Sequence, residues 1–419
     1  MHGYRTCFEF ILTQFISLFM MNISLKHLTL QNLYGHSDFI STSAYKNAVF
    51  SRCNVRNSFR GFLLDSKLSK TEFSSSIFKN FLTTVVKTQE QDYYNQTINK
   101  YLVNIENPLN FTKCTFYGIK SLTYGSCINT CKPLYLDSCL FYDLQALNGG
   151  VIYSMSNVDI KHSTFNSCSA FETAGVLKQV GDNTTSLLIT SSSFDKNEAK
   201  TFGCLYRWSH KWCNIQMSNY TNIKASDCVG VMEIASTDFD MYYCTFRKCQ
   251  ALVNNGCVLV RGPHHCEIWR NIFVSVKHNS ESYVTAAAVY IADAVVTSRV
   301  AYSIFQDTSS TYVVSAGNNG KLNVLGCIFS SSRSVIWVFK RVMITDCKFN
   351  TRVLYPTFIP DVLLNAMQTP SDTNMNISFL NISYNNLGIA FLLSVAGTIA
   401  LSIIQHKAVQ YINHHKKSL

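Results

Sequence analysis

The chain has 419 residues, of which 47% are hydrophobic and only 15% charged, and it carries a net charge of +11. So much apolar and aromatic surface, with only six prolines, excludes a mainly disordered chain. The positive charge is spread along the sequence rather than gathered into a block or interleaved with aromatics, so nucleic acid is not an expected partner.

In chain order, residues 1–22 come first. Phe8–Met21 is mostly apolar and follows Arg5, as in a signal-peptide core, but Glu9 and Gln14 interrupt it and no small-residue cleavage site stands near Met21. The segment reads either as a signal peptide or as a first coil of the repeats that begin after it.

Residues 23–349 repeat themselves. The phrase apolar-x-x-[C/S/N]-x-Phe runs through Phe111–Phe116, Leu136–Phe141, Ile160–Phe165, Ile189–Phe194, Met241–Phe246, Ile268–Phe273, Val300–Phe305, Val324–Phe329 and Ile344–Phe349, with Tyr replacing Phe in Ile215–Tyr220. From Phe116 to Phe329 there are eight intervals in 213 residues, a mean period near 27. A second phrase precedes it: Gly149-Gly150-Val151-Ile152, then Gly175-Val176-Leu177, Gly203-Cys204-Leu205, Gly230-Val231-Met232, Gly256-Cys257-Val258 and Ala287-Ala288-Val289.

Within one repeat, Val158 and Ile160 alternate with Asp159 and Lys161, which is the period-two mark of a strand. The odd step from Ile160 to Phe165 requires a corner near His162 and Ser163. A unit of two or three short strands cannot bury its apolar face alone, but stacked copies bury a continuous core and pair each backbone group with the next coil. The expected fold is all-β: a right-handed parallel β-helix of about twelve coils, with the Phe and Cys/Ser/Asn positions as interior ladders and the glycine pair at a tight corner.

Two longer intervals break the period. They hold the insertions at residues 87–101 and 278–283, the latter reading HNSESY, and both are candidate binding loops. Pro356, Pro360 and Pro370 then mark residues 350–386 as a cap and stalk. Residues 387–404 carry no charge and no proline; as a helix they span ~27 Å, enough for a thin bilayer core. Lys407, Lys416 and Lys417 come next, so the positive-inside rule places residues 405–419 in the cytoplasm and the repeats outside. Lys416 and Lys417 also stand where a dilysine retrieval signal has them, which makes the endoplasmic reticulum membrane the alternative to the plasma membrane.

Sixteen cysteines and seven Asn-X-Ser/Thr sequons, at Asn22, Asn95, Asn110, Asn183, Asn219, Asn376 and Asn381, favour a lumenal or extracellular domain. The cysteines of the C-x-F phrase, Cys114, Cys139, Cys244, Cys327 and Cys347, read as interior packing. Cys127–Cys131, Cys204–Cys213 and Cys257–Cys266 are candidate short-range disulfides, though sequence does not fix the connectivity.

Catalytic, metal and cofactor residues are not expected. Asp238 and Asp240 form the only close Asp pair, sharing an outward strand face, and no second carboxylate cluster recurs at the repeat period to meet them. Cys127 with Cys131, His210 with Cys213, and His264-His265-Cys266 are metal ligands by residue type only; none has the spacing of a four-ligand zinc set.

The phrases Gly149–Ile152 and Phe194–Asn197 resemble the paired repeats of the chlamydial polymorphic outer membrane proteins, and similar repeats occur in trichomonad surface proteins. Cys168 and Cys249 stand where that pattern has Asn, and a single apolar run with a basic tail replaces the bacterial β-barrel. The resemblance implies a surface-exposed adhesin or antigen. The expected function is therefore a single-pass membrane protein that binds host-cell, matrix or glycan ligands. The alternatives are a membrane-tethered polysaccharide lyase or hydrolase and an early-secretory resident.

Overall fold

The computed structural model describes residues 22–33, 40–41, 47–58, 61–64, 70–88, 108–236, 238–253, 256–278, 286–294, 297–308, 312–317, 321–332, 336–338 and 341–353. All lie in the first of two compact units, which spans residues 1–358. The insertion loops (save residues 87–88 and His278), the sequons at 95, 376 and 381, the span at 387–404 and the lysines at 416 and 417 fall outside them.

The described chain is a parallel β-solenoid. Each coil adds one strand to each of three walls. The first wall is a 13-stranded sheet running from Asn22–Lys26 to Arg341–Thr345, and the third is a 12-stranded sheet from Ile40–Ser41 to Ile336–Val338. The second is a 16-stranded sheet from Thr29–Leu33 to Ile328–Phe329, which includes a side stack of four short strands beginning at Glu198–Ala199. Register is strict in the first wall: Leu136 pairs with Ile160, Ile160 with Ile189, and Ile189 with Ile215. The regular solenoid is about 9 turns, fewer than the repeat predicts. Towards both ends the third wall shrinks to two- and three-residue strands separated by undescribed segments.

Two corners per coil are made by residues in the left-handed region. His162, Ser191, Met217, Tyr243, Arg270 and Tyr302 turn the chain from the first wall into the second, with φ between 48° and 57°. A left-handed L-residue costs roughly 1–2 kcal/mol. The bends persist because the hydrogen-bond ladder is not broken there: His162 N donates to Thr190 O at 3.1 Å and Met217 N to Tyr242 O at 2.9 Å. The next residue turns inward and carries the Cys/Ser/Asn of the phrase. Cys139 N donates to Ser163 Oγ, Ser163 N to Ser192 Oγ, and Ser192 N to Ser218 Oγ, each at 3.2 Å. Each serine hydroxyl in turn donates to the carbonyl two residues back, as Ser163 does to Lys161 O at 2.8 Å. A small side chain with a polar tip is thus needed at this corner, which is why Cys, Ser and Asn interchange.

The Phe rungs form a continuous stack inside. Phe141, Phe165, Phe194, Tyr220, Phe246, Phe273, Phe305 and Phe329 succeed one another at 4.6–5.0 Å between ring centroids, with planes within 8° of parallel. Each buried ring contributes about 2–3 kcal/mol by removal from water. The third corner explains the glycines. A Cβ on Gly150, Gly175, Gly203 or Gly230 would run into the carbonyl oxygen of the same position one coil on, at Gly175, Gly203, Gly230 and Gly256 respectively. The coils meet backbone to backbone there, and only a residue without a side chain fits.

Candidate functional site

Side chains on the outer face of the first wall stand one coil apart at each position. The residue before the apolar start of each phrase forms one outward row: Asp159, Leu188, Asn214, Asp240, Glu267, Arg299 and Asn323 are successive register partners. Two columns away in the same strands, Asp238 pairs with His265 and Tyr242 with Trp269. Period-two alternation sends Phe239, Met241, Cys266 and Ile268 into the core and leaves their neighbours outside.

Asp240, His265 and Glu267 come together here. One ligand atom from each lies within 4.8 Å of the other two. His265 Nε2 is 3.2 Å from Asp240 Oδ1 and Arg299 Nη1 is 3.4 Å from Glu267 Oε1. The Tyr242 hydroxyl donates to Glu267 Oε2 at 3.3 Å and also touches Asp240. Burial holds the Asp240 carboxyl above its ordinary range, opposed by the Tyr242 hydroxyl and by His265. The same burial, with two carboxylates beside it, pushes the Tyr242 phenol well up.

Aromatic and cationic groups adjoin the carboxylates. The Arg299 guanidinium lies 4.8 Å from the centre of the Trp269 ring. Arg270, at the corner, lies 5.8 Å from Trp269 and 5.9 Å from Tyr302, and the two rings are 4.9 Å apart. Tyr302 is 45% exposed, so part of its ring is open to solvent. Its other side lies over Gly326, where a Cβ would strike the ring at 2.7 Å. The patch therefore offers flat faces, two guanidinium groups and hydrogen-bonding carboxylates on rigid strands.

The other predicted residues divide as their faces dictate. Asn110, Asn183 and Asn219 lie on the outside, Asn183 in a turn whose Thr184 N donates to Asp182 Oδ1 at 2.9 Å. Asn22 begins the first strand of the first wall. The short-range disulfides are not formed: Cys127, Cys204, Cys213, Cys257 and Cys266 are free buried thiols. In the last two pairs the residues sit at the starts of different walls, and Cys213 instead faces the Arg207 guanidinium. Burial holds the Cys213 thiol up, to about 11. His210 and His264 are exposed while Cys213 and Cys266 point inward, so neither pair shares a site.

The sequence predicts no second carboxylate cluster at the repeat period, and a single carboxylate, Glu267, does stand there against Asp240. It lies 27 residues after Asp240, one repeat on, and each precedes the apolar residue that opens its phrase. Aligning outward as well as inward positions on the repeat would have paired them.

The fold defines a parallel β-solenoid protein with a mixed aromatic, carboxylate and arginine face. The chain matches no family model, no curated protein and no solved structure.

Proposed function

We propose that this chain is a surface-exposed, adhesin-like binding protein whose solenoid holds glycan ligands on the outer face of the first wall. One observation carries the reading: Trp269, Tyr302 and Tyr242 lie beside Arg299, Arg270, Asp240 and Glu267 on strands that the stack fixes in place. Sugar rings pack on aromatic faces, and their hydroxyls donate to carboxylates and accept from guanidinium groups, often in bidentate pairs. The sequons, the apolar run at 387–404 and its basic flank support an extracellular solenoid on a single span, and the parallel stacking and the phrases at 149–152 and 194–197 support a right-handed one of the polymorphic-repeat kind.

The test is binding of the full-length protein to a panel of neutral and acidic glycans. Trp269→Ala and Tyr302→Ala should each weaken binding at least tenfold, while Trp208→Ala, at an exposed tryptophan of the third wall, leaves it unchanged. Binding that ignores Trp269, or no binding across the panel, overturns the reading.

A second reading has its own support. Asp240 and Glu267, beside Arg299, are the kind of carboxylate and base set on which a membrane-tethered lyase or hydrolase would rely. Release of reducing ends from a polysaccharide, abolished by Asp240→Asn, would replace the binding role with an enzymatic one. For location, replacing Lys416 and Lys417 by Ser should move an early-secretory resident to the cell surface and leave a plasma-membrane protein where it is.

A further inference from the structure

The outer row of the first wall has an excess of acceptors where Asn214, Asp240 and Glu267 stand on three successive coils. Asn214 Oδ1 and Asp240 Oδ1 are both shielded from water, and neither accepts a hydrogen bond. Their residues are register partners, so the two unsatisfied oxygens belong to the same outward row on adjacent coils. A buried acceptor without a donor costs roughly 1–3 kcal/mol, and two adjacent ones call for a shared positive group. His265 supplies it only in part: its Nε2 stands 3.2 Å from Asp240 Oδ1, within ion-pair reach but without the alignment of a hydrogen-bond donor. A ring nitrogen and a carboxylate oxygen that approach to 3.2 Å without hydrogen-bond alignment are also placed as two ligands of one cation would be.

We propose that Asp240, His265 and Glu267 form a binding site for a divalent first-row transition metal of the Zn2+ type, with the Asn214 side-chain oxygen next to it. The donor atoms, within 4.8 Å of one another, need only rotamer adjustments to close to the ~2.0–2.2 Å bonds of zinc. One imidazole nitrogen among carboxylate oxygens selects against Ca2+ and Mg2+, which take oxygen alone. Three protein ligands on a convex face leave a coordination position open to solvent. Tyr242 and Arg299 are the outer partners that orient Glu267, both through contacts longer than 3.2 Å that leave the carboxylate free to turn.

The site rests on its own residues and not on the glycan reading: Zn2+ uptake without glycan binding keeps this proposal and removes the other. The experiment titrates metal-stripped full-length protein with Zn2+ against a chromophoric chelator. One equivalent should bind, and His265→Ala, Glu267→Gln and Asp240→Asn should each weaken it at least tenfold with unchanged circular dichroism. His264→Ala, one residue away with its side chain exposed, should have no effect. Co2+ substituted for Zn2+ should give visible absorption bands that His265→Ala abolishes. No stoichiometric uptake, equal loss in His264→Ala and His265→Ala, or preferential Ca2+ binding insensitive to His265→Ala would overturn it.

Discussion

Asn271 holds Cys244 from one coil further along: its Oδ1 accepts from Cys244 N at 2.8 Å, and its Nδ2 donates to Met241 O at 2.9 Å. It occupies the corner place that Ser163, Ser192 and Ser218 fill in other coils. A serine there accepts the N–H of the coil before but returns its own hydrogen to its own coil. Asn271 instead bonds twice to the same neighbour.

Asn271→Leu should therefore be among the most damaging single changes at this ladder. It strands the Cys244 N–H and the Met241 carbonyl in the core, at about 2–4 kcal/mol for the two. Asn271→Ser restores the acceptor alone and should cost roughly half as much. Denaturant unfolding of the two variants checks the ratio; equal losses would mean that volume, not hydrogen bonding, sets the cost.

Tyr220→Phe should stabilise the protein. Tyr220 takes a Phe rung, stacked between Phe194 at 4.7 Å and Phe246 at 4.8 Å, and its hydroxyl is buried with no partner. Removing the hydroxyl keeps the rings in place and relieves a penalty of about 1–3 kcal/mol. A rise in the thermal midpoint is expected; a fall would show that the hydroxyl is satisfied in solution.

Gly230→Ala and Gly262→Ala separate two reasons for glycine. At Gly230 the added methyl group would overlap Gly256 O of the next coil and meet Gly256 C at 2.8 Å. Backbone there has nowhere to go, so a loss of about 1–3 kcal/mol or more is expected. At Gly262 there is open space, and only its φ of +60° opposes a side chain, which costs about 1 kcal/mol. Unfolding midpoints should rank wild type, Gly262→Ala, Gly230→Ala.

Cys347 should be the first described cysteine to be alkylated. A hydrogen bond from the Cys327 thiol holds its thiol down, to about 7, whereas burial holds Cys127, Cys168, Cys204 and Cys266 well above the usual range. Carbamidomethylation with iodoacetamide, read by peptide mass, should show a midpoint near pH 7 at Cys347. Cys327→Ala, which removes the donor, should move the midpoint upward. The half-buried thiol at the end of the first wall is also the more accessible of the two.

The inward half of this architecture could be read from the chain. Phe165, Val158 and Ile160 point inward as their spacing requires, the corner falls at His162 and Ser163, and the glycine corner at Gly149 and Gly150 is where the repeat puts it. Core positions are legible because every coil must fill the same interior, so the same residue types return. Outward positions are under no such constraint: the row through Asp240 runs Asp159, Leu188, Asn214, Asp240, Glu267, Arg299, and no residue type is shared by adjacent coils to mark it. The candidate site is a meeting of unlike residues at one repeat position. The three walls likewise emerge only from pairing, since strands such as Glu198–Ala199 are too short to show alternation.

Because each coil's bonds at each wall and corner go to the same position in the coils before and after, the coil is also a unit of inheritance. Gain or loss of one whole repeat would leave the cut faces as complementary as before, so the length of such a protein can drift by steps of about 27 residues without a new fold. Asp240 and Glu267, however, belong to different coils. A step inserted between them would keep the solenoid intact while separating the pair, so the site and its scaffold can be lost independently of one another.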